Sequence, residues 1–153
     1  MEKKYIAALF GIFLSSYLSA QHTDLSQSLH DREFTFHART AQPARGQNIQ
    51  LTSYYDLRIH GDSLVAYLPY YGRAYTAPIG NNEGGIQFTS TNFSIKTKDR
   101  RKGGWEIDIL PKGQDVREMI LTVSENGYSN LSVTSSSRDF ISFYGDVTVN
   151  KKN

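Results

Sequence analysis

The sequence predicts a mainly β domain: an antiparallel barrel, half-barrel or sandwich of roughly eight to ten short strands, with one short N-terminal helix. Three observations carry that expectation. From Phe34 onward, apolar and polar residues alternate in short runs, the period of a strand with one buried face. Turn-forming pairs such as Gly61-Asp62 and Asn126-Gly127 separate the runs at frequent intervals. Nowhere does the chain show the strand–helix–strand pattern of a parallel sheet.

The elements follow in order. Residues 1–20 read as a cleavable signal peptide. Lys3 and Lys4 form its positive start, Tyr5 to Leu14 its apolar centre, and Ser15 to Ala20 a small, polar exit. The apolar run is too short for a transmembrane helix, which needs about 20 apolar residues, and no later segment is longer or more apolar. Residues 21–153 form one β-rich domain, read as a monomer that is periplasmic or secreted, with no membrane span once the signal is removed. Residues 23–32 are the one helical stretch: Thr23 or Asp24 caps it, and Leu25 and Leu29 lie one turn apart. So short a helix needs a docking surface, and the reading places it as a lid on one end of the domain.

Strands then follow. Phe34, Phe36 and Ala38 alternate with Thr35, His37 and Arg39 until Pro43 to Gly46 breaks the run. Tyr55, Leu57 and Ile59 lead to the Gly61-Asp62 turn, and Leu64, Ala66 and Leu68 return from it. Ile86 and Phe88 precede a turn at Thr91-Asn92, with Phe93 and Ile95 beyond. Trp105, Ile107 and Ile109 give the clearest half-buried strand, which makes Trp105 a core residue. Met119, Leu121 and Val123 pair with Leu131 and Val133 across Asn126-Gly127, and Ile141, Phe143, Val147 and Val149 close the chain.

Composition narrows the chemistry. The 153 residues carry 17 Lys+Arg against 15 Asp+Glu, a formal +2, too little to point to nucleic acid. With no cysteine, the chain has no disulfide, no thiolate chemistry and no lipid-anchored N-terminus, so it is not a lipoprotein. The four histidines, His22, His30, His37 and His60, show no metal-binding spacing, and the reading assigns no metal and no cofactor. There is no G-x-S-x-G elbow around the many serines. Gly80 to Gly85 lacks the Lys-Ser/Thr and the following helix of a phosphate loop. Glu106 and Asp108 share a strand face about 7 Å apart, but a solvated face accounts for them. Lys96 to Lys102 sets five cations around Asp99 at a hairpin tip. No catalytic motif emerges, and the protein is read as not an enzyme.

The most distinctive segment is Leu68-Pro-Tyr-Tyr-Gly-Arg-Ala-Tyr-Thr-Ala-Pro78. Tyr70, Tyr71, Arg73 and Tyr75 are the candidate ligand-binding residues, since tyrosines join a large apolar surface to a hydroxyl and arginine clamps anions or stacks on rings. Arg73, between the small residues Gly72 and Ala74, is the residue expected to matter most. Together with Phe34 to Ala38, Tyr55 to Ile59, Gly85-Ile-Gln-Phe88, Gly104-Trp-Glu-Ile107, Asn126-Gly127 and Arg138 to Gly145, this segment resembles the DUF4251 family of small exported Bacteroidetes proteins. The resemblance implies export and carries over no catalytic residue. Two functions fit: a barrel-like module that binds an apolar or amphipathic, lipid-like ligand, or an envelope protein–protein interaction module that uses an exposed sheet face or edge.

Overall fold

The computed structural model describes residues 24–75 and 84–150; the signal-like segment, His22 and the stretch 76–83 lie outside them. A helix, α1, covers residues 24–30. Nine strands follow among the described residues: β1 (Glu33–Pro43), β2 (Ile49–His60), β3 (Ser63–Leu68), β4 (Ile86–Ser90), β5 (Phe93–Asp99), β6 (Trp105–Pro111), β7 (Val116–Val123), β8 (Tyr128–Ser135) and β9 (Ile141–Val149). All belong to one sheet in the order β4-β3-β2-β1-β9-β8-β7-β6-β5, and every neighbouring pair is antiparallel. Of the three architectures the sequence allowed, the chain adopts the barrel, nearly closed.

The closure follows from strand direction. Counting outward from β1 through alternating antiparallel partners, β4 and β5 run the same way, although they are the two edges of the sheet. Only Thr91 and Asn92 separate them, so they are two stretches of one bent strand, β4 pairing with β3 and β5 with β6. The Ser90 hydroxyl stabilises the bend, accepting from the Asn92 amide and donating to the Asn92 carbonyl, each at 3.1 Å. The sequence predicts a turn at Thr91-Asn92. A polar pair looks the same in a hairpin and in a kink, and here the kink carries the chain across the seam.

The hairpins are built as their glycines require. Gly61 sits at φ +54° in the two-residue link between His60 and Ser63, which face each other across β2 and β3. The β7–β8 loop differs from the expected two-residue Asn126-Gly127 turn. The Ser124 amide bonds to the Tyr128 carbonyl at 2.8 Å, so the loop spans three residues and only Gly127, at φ +86°, takes the left-handed conformation.

Along most of the strands alternate residues point inward, and their side chains merge into one core. Phe34, Phe36, Leu57, Ile59, Leu64, Leu68, Ile107, Ile109, Met119, Leu121 and Phe143 are fully buried, and Trp105 is buried as expected. Side chains with no accessible surface leave no water-sized space beside them, so the middle of the barrel is filled rather than hollow. At the end where β1 begins, α1 inserts Leu25 and Leu29 into the core. There Thr97 on β5 donates to the Leu29 carbonyl at 3.5 Å, and the Ser28 hydroxyl donates to the Glu33 carbonyl. The far end is covered differently.

Candidate functional site

Beyond Leu68 the chain leaves β3 and crosses the far end of the barrel as Pro69 to Tyr75. Two backbone hydrogen bonds fasten it to the β8–β9 turn: Tyr75 N–H to the Ser137 carbonyl at 2.7 Å, and Asp139 N–H to the Arg73 carbonyl at 3.1 Å. Ala74 and Arg138 form an isolated antiparallel bridge between them. Tyr70 turns its hydroxyl back under the crossing, between the carbonyls of Arg73 (2.8 Å) and Asp139 (3.1 Å). Gly72 leaves room for this, because a Cβ there would lie 2.7 Å from the Tyr70 hydroxyl and push it out of place.

Arg138 holds the arrangement from beneath. Only 7% of its side chain is exposed. Its Nη1 donates to the Gly85 carbonyl at 2.8 Å, its Nε lies 3.7 Å from the Asp115 carboxylate, and its guanidinium carbon stands 5.1 Å from the centre of the Tyr70 ring. Asp115 in turn accepts from the Ser137 amide at 3.1 Å, so one acid fixes both the arginine and its turn. Burying a guanidinium costs desolvation free energy, which such partners offset.

The four sequence candidates meet on this cap in different settings. Tyr70 and Tyr71 are half-buried and pack against the core, whereas Arg73 and Tyr75 are exposed. The Arg73 guanidinium makes no ion pair or hydrogen bond among the described residues; its backbone carbonyl does the structural work. Tyr75 donates to the Asp139 carboxylate. Both phenols are held above their ordinary value, Tyr70 first by burial and then by the nearby Asp139 charge, Tyr75 first by its hydrogen bond to Asp139. Arg138, the organising residue, begins the Arg138 to Gly145 stretch that carries the family resemblance, but nothing in its local pattern marks it as buried. It follows three serines, and its burial arises only when residues 70, 85, 115 and 138 converge.

Elsewhere the chemistry-bearing residues are occupied. His60 pairs with Glu33 at 2.5 Å, His37 with Thr148 at 3.0 Å, and His30 faces Asp99 at 3.9 Å. Among the described residues no cluster of His, Asp and Glu could hold a metal ion. Glu106 and Asp108 do share a face, but Lys98 lies 3.7 Å from the first and 2.5 Å from the second. Its ammonium pKa is raised chiefly by the Asp108 hydrogen bond. Among the described residues no helix is long and apolar enough to cross a membrane.

A search of curated proteins finds no match. Among solved structures, a crystal structure of a DUF4251 family protein from Bacteroides eggerthii resembles the chain with a TM-score of 0.61 and 15% identity, covering 85% of this chain and 88% of that one. At that identity the likeness concerns the fold. The family model for DUF4251, a domain of unknown function, matches residues 18–147, a span that takes in all nine strands but for the last residues of β9. The chain belongs to the DUF4251 family.

Proposed function

We propose that the protein is a non-catalytic binding module of the cell envelope, exported by the signal-like residues 1–20, that meets an amphipathic ligand at the tyrosine-rich end of its barrel. The observation that carries this reading is the cap. A segment of six residues, Tyr70 to Tyr75, is tied across the barrel end by a buried arginine and two backbone bonds, yet it leaves Arg73 and Tyr75 facing solvent. Rigidly mounted tyrosines beside a guanidinium that has no partner among the described residues suit a ligand with both an apolar and an anionic part. The filled core supports recognition at the surface rather than engulfment. Native mass spectrometry of protein purified from its own host tests the reading. A co-purifying amphiphile that is lost in Arg73→Lys at unchanged melting temperature supports it. Bare protein together with an Arg73→Lys variant indistinguishable from wild type refutes it.

A second reading, docking to another envelope protein through a sheet edge, is favoured by the seam. Among the described residues, β4 is hydrogen-bonded within the sheet only to β3, and β5 only to β6. A free edge accepts a strand, but Lys96 and Lys98 on β5 are the type of residue that blunts such edges. We therefore rank this reading second.

A further inference from the structure

Three segments distant in sequence come together at the outer rim of the cap: the β1–β2 turn, the Tyr70–Tyr75 crossing and the β8–β9 turn. The Ala44 amide bonds to the Phe140 carbonyl at 3.1 Å, which sets Arg45 beside the β8–β9 turn. The Asp139 amide bonds to the Arg73 carbonyl, and the Tyr75 hydroxyl to the Asp139 side chain. The positive charges of Arg45 and Arg73 both reach the Tyr75 hydroxyl. Neither guanidinium has a partner among the described residues, and both side chains are exposed. The acid of the β8–β9 turn, Asp139, accepts from the Tyr75 hydroxyl, and Asp115 of the β6–β7 turn pairs with the buried Arg138. Tyr75 is 66% exposed and Phe140 46% exposed. Among the described residues the rim thus presents two unpaired cations and two open rings, with the Asp139 carboxylate engaged by the Tyr75 hydroxyl.

We infer that this rim, Arg45, Arg73, Tyr75 and Phe140, docks the protein end-on against an anionic phospholipid surface. The inference rests on the binding reading above and names where its amphipathic ligand is met: in the bilayer. Phe140 offers no polar group to a soluble partner, but a ring of this kind sits favourably at the depth of the lipid headgroups, as tyrosine does. The two guanidinium groups match lipid phosphates, to which arginine bonds in a forked geometry. All four residues lie on turns at one end of a barrel, so a flat surface can touch them together. A lipid drawn into the barrel is disfavoured by its filled core.

The test is co-sedimentation of the chain from Gln21, which contains every described residue, with vesicles of phosphatidylcholine mixed with phosphatidylglycerol and with vesicles of phosphatidylcholine alone. The expected result is binding to the mixed vesicles, weakened by salt and lowered about fivefold by each of Arg45→Gln and Arg73→Gln. Phe140→Ser should lower it as well. Melting temperatures should stay near wild type in both arginine variants, because neither side chain has a partner among the described residues. Arg45→Glu and Arg73→Glu provide a second pair whose effect must be larger. Equal binding to both vesicle types, or binding unchanged in the double Gln variant, overturns the inference. So does capture by soluble glycerophosphate or an acidic peptide with no vesicle binding. In that last case the binding reading itself survives, and failure of that reading is seen separately as an absence of any co-purified amphiphile.

Discussion

Replacing Arg138 with methionine removes a charge from beneath the cap while keeping most of the side-chain volume. The interactions lost can be weighed one by one. A charged hydrogen bond to a buried carbonyl contributes about 1.5–3 kcal/mol, and here the Gly85 carbonyl would be left without its donor. The guanidinium over the Tyr70 ring adds about 1–2 kcal/mol when desolvated. The pairing with Asp115, at 3.7 Å and with the acid 38% exposed, contributes about 0–1 kcal/mol. Against these stands the desolvation of the guanidinium, which the apolar side chain no longer requires. The net expectation for Arg138→Met is a loss of about 2–4 kcal/mol, a fall in Tm of roughly 8–15 °C for a domain of this size. Urea denaturation measures it, and a double-mutant cycle with Tyr70→Leu should return a coupling of about 1 kcal/mol. A change below about 1 kcal/mol in Arg138→Met, or full additivity with Tyr70→Leu, would refute the view that Arg138 organises the cap.

Three further outcomes follow from the same structure. Trp105→Ala should cost about 3–5 kcal/mol, because the ring is buried against the core, and an unaltered melting curve would contradict its position on the inner face of β6. Gly145→Ala should cost about 1–3 kcal/mol, read as a shifted urea midpoint, because a Cβ there falls on the His37 carbonyl oxygen in the neighbouring strand. The folded-state pKa values of Tyr70 and Tyr75 lie above the unfolded value of about 10, so the folded chain keeps protons that the unfolded chain releases. Their contribution is therefore complete below that pH and is lost as the pH rises from there through the higher folded-state values. Phenolate absorbance should show a late-titrating fraction that disappears in Tyr70→Phe and Tyr75→Phe, whereas a titration identical in all three proteins would exclude it.

Much of the barrel could be read from the chain because strand burial leaves a mark with a period of two. Phe34 and Phe36, Leu57 and Ile59, and Ile107 and Ile109 all alternate in sequence and all point inward. The helix was visible through Leu25 and Leu29 alone. Departures arose where the alternation is interrupted. β2 begins at Ile49, earlier than its alternation at Tyr55, because its register against β1 shifts there: Ala38 faces Tyr55, but Thr40 faces Gln50. Residues 51–54 bulge opposite Arg39, which scrambles the inward and outward pattern. The tyrosine segment stood out by composition, but its anchor did not. Arg138 is buried by contacts with residues 70, 85 and 115, and no local pattern records a meeting of that kind.

The pairing of β1 with β9 makes the barrel a ring fastened by its two terminal strands. Thr35 and Asn150, 115 residues apart in the chain, share a hydrogen bond of 2.8 Å. Until β9 is present, β1 and β8 each lack a neighbour, and half of the core lies open. Contacts so distant in sequence form late and slowly. A chain delivered from its N-terminus therefore stays unfinished until β9 emerges, and loss of Val147–Val149 would leave Phe34, Thr35 and Phe36 without their β9 partners at the start of β1.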